Sequence, residues 1–84
     1  MYNVEFSKTA EKRLYRLEQD IQERIVNVLE RIKVRPFNFV KRIINSSCHR
    51  LRVGDYRVIL DIKEQTQSIF VVELGHRKNI YEQF

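Results

Sequence analysis

The chain has little of what stiffens or cross-links a small protein. Its 84 residues include one cysteine, one proline, two glycines and no tryptophan. A lone Cys48 excludes an intrachain disulfide, so packing must hold the fold, and an intracellular address is the easier expectation. No apolar run approaches the ~18–20 residues of a membrane span. The N-terminus opens directly on strand-like alternation with no signal peptide, so the expected location is the cytoplasm. There is no repeat and no low-complexity segment. Cys48 and His49 are adjacent, point to opposite faces of a strand and have no second pair at ligand spacing, so neither a metal nor a cofactor is expected.

What is present is ordinary for a soluble globular protein in all but its charge. Hydrophobic residues make up 43% and charged residues 32%. Eighty-four residues suit one small domain, 1–84, which buries only ~60–65% of its unfolded surface. The net charge of +5 favours an acidic partner: nucleic acid, an anionic membrane surface or an acidic protein. Charge alone does not choose among them.

Tyr2, Val4 and Phe6 alternate with polar residues, which predicts a short strand with one buried face. Ser7 suits an N-cap for a helix carrying Ala10, Leu14 and Leu17 on its apolar side. Lys8, Lys12, Arg13 and Arg16 make its basic face, read as solvated, with an accessory phosphate contact as the alternative. Asp20 and Glu23 read as a capping box for a second helix. Its stripe is Ile21, Ile25, Val28, Leu29 and Ile32, widened by Val26. Two amphipathic helices joined this tightly predict an antiparallel helical hairpin. Pro36 ends the second helix near Val34 or Arg35. Residues 37–40 read as a connection, and 41–45 as a short edge strand before a turn at Asn45-Ser46-Ser47. Residues 69–74 are apolar on both faces, which suits a central strand.

Between these lies the most informative stretch, Arg50-Leu51-Arg52-Val53-Gly54-Asp55-Tyr56-Arg57-Val58-Ile59. Two alternating runs flank Gly54-Asp55, which predicts a β-hairpin with a type II′ turn. A two-residue turn sets Val53 opposite Tyr56, Arg52 opposite Arg57, Leu51 opposite Val58 and Arg50 opposite Ile59. Arg50, Arg52 and Arg57 then share one face. If Ile62 pairs with Phe70, Arg57 pairs with Gly75 and Arg77 joins that face. The predicted architecture is α+β, in two layers. Both helices cover the sheet side bearing Leu51, Val53, Val58, Leu60, Phe70, Val72 and Leu74. The arginines occupy the uncovered side.

Arginines facing each other across a ladder repel, which folding alone disfavours. A site for a polyanion favours it, because each guanidinium presents a rigid fork of donors to phosphate oxygens. Cleavage of RNA by its own 2′-hydroxyl needs orientation, charge neutralisation and groups that move protons. Tyr81, His49 and His76 are the candidates for proton movement. Tyr81 equally suits stacking on a base. His76 has the parity of Leu74 and suits a structural role as well as a catalytic one. His49 has the parity of Leu51, and core packing is the preferred reading.

The order of elements, the hairpin motif and the later Gly75-His76-Arg77-Lys78-Asn79-Ile80-Tyr81 together resemble the RelE/ParE toxin superfamily, closest to its RelE side. The resemblance covers essentially the whole chain. It implies a RelE-like fold: an N-terminal strand, a helical hairpin, then an antiparallel strand meander with the helices on one sheet face. It implies the toxin of a type II toxin–antitoxin pair that enters the ribosomal A site, cleaves mRNA there and so inhibits translation. Its partners are then an acidic antitoxin, mRNA and ribosomal RNA, with no membrane. By position, Arg57, Arg77 and Tyr81 are the implied catalytic residues, and Arg50, Arg52, His76 and Lys78 the implied substrate contacts. Arg50 and Arg52 stand where well-known members carry lysines, and the spacing from Arg77 to Tyr81 is shorter than the family's. The competing readings are a ParE-like inhibitor of DNA gyrase and a non-catalytic RNA- or ribosome-binding domain.

Overall fold

The N-terminal alternation produces strand β1 (Asn3–Phe6) in the computed structural model, which describes residues 1–80. Ser7 then caps helix α1 (Lys8–Tyr15), its hydroxyl accepting from the Ala10 amide at 3.0 Å. Ala10 and Leu14 are the buried residues of α1. Helix α2 (Gln19–Ile32) starts earlier than the Asp20 capping box predicts. Glu18 occupies the cap without a side-chain hydrogen bond. Asp20 instead sits in the first turn, where its charge complements the helix dipole. The helix stops at Ile32, short of Val34.

A single 3₁₀ turn (Pro36–Asn38) leads to the short strand β2 (Val40–Arg42). Strand β3 (His49–Val53) and strand β4 (Tyr56–Lys63) form the hairpin. Its register is the predicted one, with Arg52 opposite Arg57 and Arg50 opposite Ile59. Gly54 has φ +59 and Asp55 is not in the left-handed region, as a II′ turn requires. Strand β5 (Ser68–His76) follows, and helix α3 (Arg77–Ile80) ends the described chain. Tyr81 lies outside the described residues.

The sheet order is β1-β5-β4-β3-β2. β1 runs parallel to β5 at one edge, and the other pairings are antiparallel. β5 is therefore interior, as its apolar run predicts. Its register differs from the expected one. Ile62 pairs with Ile69, yet Arg57 still pairs with Gly75, because one extra residue in β5 between Val71 and Glu73 creates a bulge. That residue, Val72, shifts the alternation. Ile69, Val71 and Leu74 face the helices and are fully buried, while Phe70 is 39% exposed.

The core lies between the helices and one sheet face. Ile25, Leu29 and Ile32 meet Leu51, Val58, Leu60, Ile69, Val71 and Leu74. Val28 and Ile21 are only half-buried, and Val26 points outward at 40% exposure, so the stripe is narrower than predicted. The opposite sheet face is not wholly uncovered either. Ile59 and Ile80 are buried but stand apart from the main cluster, and the Ile80 Cδ1 lies 3.9 Å from where a Gly75 Cβ would be. Helix α3 thus covers one end of the arginine face. Among the described residues no helix is long and apolar enough to cross a membrane.

Candidate functional site

Two rows of side chains cross the outer sheet face. Residues directly opposite each other share a face, so the register alone defines both rows. The first is Lys41–Arg50–Ile59–Glu73, and the second is Arg52–Arg57–Gly75. The β2–β3–β4 half of the face is therefore cationic. At its far end Glu73 is buried and neutralised from α1, where the Arg13 Nε lies 2.8 Å from its carboxylate. The same carboxylate accepts from the Leu74 amide at 3.0 Å. That acid is tied into the fold by both contacts.

The cationic half closes into a cleft of about 190 Å³ lined by Phe39, Lys41, Arg50, Arg52 and Arg57. Sequence reasoning missed Phe39 and Lys41. Strand β2 is three residues long, too short for its alternation to stand out. The signal was present: Val40 pairs with buried Leu51, so Phe39 and Lys41 must take the opposite face. Phe39 is 50% exposed, leaving ring surface at the cleft's rim.

Arg57 departs from expectation in its burial. Its surroundings read as exposed in the sequence, but it is only 6% exposed. Its Nη1 donates to the carbonyls of Gly54 at 2.9 Å and Tyr56 at 3.0 Å. The tight turn aims those carbonyls at the guanidinium, which stands rigid at the floor of the cleft. Rigid, partly desolvated charge is what stabilises a developing anion most effectively.

Arg77 is not in the strand. It opens α3, and its amide donates to the Asp55 carbonyl at 2.8 Å. Its Nε lies 4.0 Å from the Asp55 carboxylate, and the side chain is 51% exposed. It sits beside the hairpin turn and does not line the cleft. His76 belongs to the helix side. Its ring meets Tyr56 edge-on at 5.5 Å, its Nδ1 accepts from the Lys78 amide at 3.2 Å, and with Arg13 and Arg16 it lines a separate cleft. Lys78 is exposed on α3.

His49 packs edge-on against Phe37 at 5.3 Å, in keeping with a structural role. Its buried Nδ1 has no hydrogen-bond partner among the described residues. Burial, helped by the Arg42 charge and partly opposed by Asp61, lowers its pKa below 6.5. Among the described residues no group of three acidic, cysteine or histidine side chains could hold a metal ion.

Arginine-rich donors on one rigid face, with an aromatic rim, suit a phosphate backbone and its bases. Comparison with known proteins identifies a toxin fold. A family model described as the ParE toxin of the type II toxin–antitoxin system parDE matches residues 4–81. Among curated proteins, none is significantly similar in sequence. Several solved structures are similar. One is the archaeal RelE–RelB complex from Pyrococcus horikoshii, at 25% identity and TM-score 0.80 over 93% of this chain and 97% of that one. Another is the RelB–RelE antitoxin–toxin complex from Methanococcus jannaschii, at 28% identity and TM-score 0.72 over 94% and 96%. The RelBE2 toxin–antitoxin complex from Mycobacterium tuberculosis shares the fold, at 24% identity and TM-score 0.81 over 90% and 98%. With a family model spanning nearly its whole length and a sheet that superposes on RelE-type structures, the chain belongs to the ParE toxin family of type II toxin–antitoxin systems and has the RelE-like fold of the RelE/ParE superfamily.

Proposed function

We propose that this toxin is a metal-independent endoribonuclease that cleaves mRNA in the ribosomal A site. The observation that carries the reading is the facing pair Arg52 and Arg57 in a cleft completed by Lys41, Arg50 and Phe39. Folding alone disfavours that pair, whereas a bound phosphate offsets the repulsion. In the proposed reaction the 2′-hydroxyl loses its proton and its oxygen attacks the adjacent phosphorus. The bond from phosphorus to the 5′-oxygen breaks, and that oxygen takes up a proton. The products are a 2′,3′-cyclic phosphate and a 5′-hydroxyl.

Arg57 stabilises the charge on the transition-state phosphate. Arg50 and Arg52 hold the backbone, and Lys41 joins them. Arg77 and Lys78, beside the hairpin turn, meet the RNA as it leaves the cleft, and Arg77 assists the leaving group from there. Tyr81 stacks on a base or accepts the proton. Lys41 adds a compact point charge beside the planar guanidinium forks. His76 acts as a contact only if RNA reaches the helix side. The single domain 1–84 carries the whole activity in the cytoplasm. An acidic antitoxin neutralises it, as RelB accompanies RelE in the solved complexes.

The family model's description as a ParE toxin favours a second reading, inhibition of DNA gyrase through protein contacts. One experiment separates them. Purified toxin is given to programmed ribosomes with chelator present, and in parallel to gyrase with supercoiled DNA. Cleaved mRNA with unaffected gyrase supports the nuclease. Intact mRNA with gyrase inhibited or DNA cleaved supports the second reading. Binding to ribosomes without cleavage reduces the toxin to an RNA-binding blocker.

A further inference from the structure

Arg52 lines two clefts, not one. Beyond the site above, it closes a second cleft of about 340 Å³ between α2 and the hairpin tip, together with Arg24, Asn27, Arg31 and Gly54. Arg24 and Arg31 are seven residues apart on α2, so they lie on one face about 10 Å apart along the axis. Arg24 lies against the turn: a Cβ on Gly54 would come 3.0 Å from its Nη2. Both arginines are exposed, and so is Arg52.

Among the described residues these three cations have no salt-bridge partner. No carboxylate of a described residue lies within 4.0 Å of Arg24, Arg31 or Arg52, in contrast to Arg13 with Glu73 and Arg77 with Asp55. The sheet edge beside them is open as well. β2 pairs with β3 only from His49 to Leu51, so among the described residues no strand flanks Arg52 or Val53 on the outer side. The opening leads from Arg57 past Arg52 to Arg24 and Arg31.

We propose that the cleft between α2 and the β3–β4 turn, where Arg24 and Arg31 converge on Arg52, is a second phosphate-binding subsite that carries single-stranded RNA round the sheet edge from the Arg57 cleft. The inference rests on the nuclease reading for the direction of the strand, not for the existence of the subsite. A polyanion is the ligand chemistry because the cleft offers guanidinium forks and one amide and no acid. RNA is favoured over an acidic peptide by continuity with a cleft whose rim presents Phe39 for stacking.

The test uses the full chain and a fluorescent ~12-nucleotide single-stranded RNA, with anisotropy followed across a KCl series. Arg24→Gln/Arg31→Gln should weaken binding about tenfold and lower the salt slope by about 1.4, two lost contacts at about 0.7 each. Lys8→Gln/Lys12→Gln removes the same charge from α1, which packs on β5 rather than β3, and should leave the slope near wild type. Thermal melts of both variants should match wild type, since all four side chains are exposed. An unchanged slope in Arg24→Gln/Arg31→Gln overturns the subsite. So does an equal fall in the α1 control, which would reduce the effect to net charge. A loss of poly-glutamate binding with RNA binding intact also overturns it, and turns the cleft into a protein-facing surface. Oligonucleotide binding needs neither ribosomes nor cleavage. If the salt effect holds and wild type cleaves nothing on ribosomes, the subsite stands and the nuclease reading falls.

Discussion

The Ser7 hydroxyl donates to the Val72 carbonyl at 2.8 Å. Val72 is the extra residue of the β5 bulge, and its carbonyl is turned out of the ladder there. Ser7 therefore does two things at once. It starts α1, and it satisfies the carbonyl that the bulge releases. The bulge keeps Gly75 opposite Arg57 while Ile62 stays opposite Ile69. Ile80 packs over the sheet there, within ordinary contact distance of that position. A structural serine on the far side of the sheet thus helps maintain the register on which the arginine face depends.

Ser7→Ala should destabilise the protein by about 1–2 kcal/mol, from the lost cap and the orphaned Val72 carbonyl. Urea unfolding followed by far-UV circular dichroism reads this directly. A change below a few tenths would show that neither bond matters for stability.

Arg57→Ala should slow single-turnover cleavage on programmed ribosomes about 10²–10³-fold, the usual cost of one preorganised charge contact. Because Arg57 is buried and bonded to two turn carbonyls, it should also cost about 1–3 kcal/mol of stability. Arg57→Lys keeps the charge without the fork. It should recover part of the stability and little of the rate. Full activity in Arg57→Ala would sink its proposed role.

Phe39→Ala should weaken binding of a short single-stranded RNA by about 1–3 kcal/mol, the range for one base–aromatic stack. Phe39→Tyr should bind nearly as wild type. The ring is half exposed, so the melting temperature should hardly move. Equal binding by wild type and Phe39→Ala in fluorescence titration would remove the stacking platform.

His49 makes stability depend on pH. Its folded pKa lies below the unfolded value of 6.5, so the unfolded chain takes up the proton first. The stabilisation is complete above pH 6.5, declines as pH falls through it, and is gone below the folded pKa. The stability difference between wild type and His49→Gln should therefore shrink from pH 7.5 to pH 5.5. The lost Phe37 contact contributes equally at both values. A difference independent of pH in paired denaturation curves would exclude the effect.

The chain's local chemistry determined the hairpin by itself. Gly54 at the first turn position, with strict alternation on either side, leaves one register for residues 50–59, and that register already places Arg50, Arg52 and Arg57 together. Ser7 as a cap and the stripe of Ile25, Leu29 and Ile32 are local in the same sense. Each depends on neighbours within a turn or two of chain. Tertiary structure decided the rest. Lys41 and Phe39 reach the site only because a three-residue strand pairs with β3 across a loop. Arg57 lines the cleft with residues distant in sequence, Phe39 and Lys41, which no window around Arg57 reports. Phe70 and Val72 changed faces through a single inserted residue, since a period of two inverts with every bulge. Arg77 does not line the cleft because α3 begins there, its amide bonded to Asp55 on the neighbouring hairpin. Alternation encodes which residues share a strand face; contacts distant in sequence decide which faces close into a cleft.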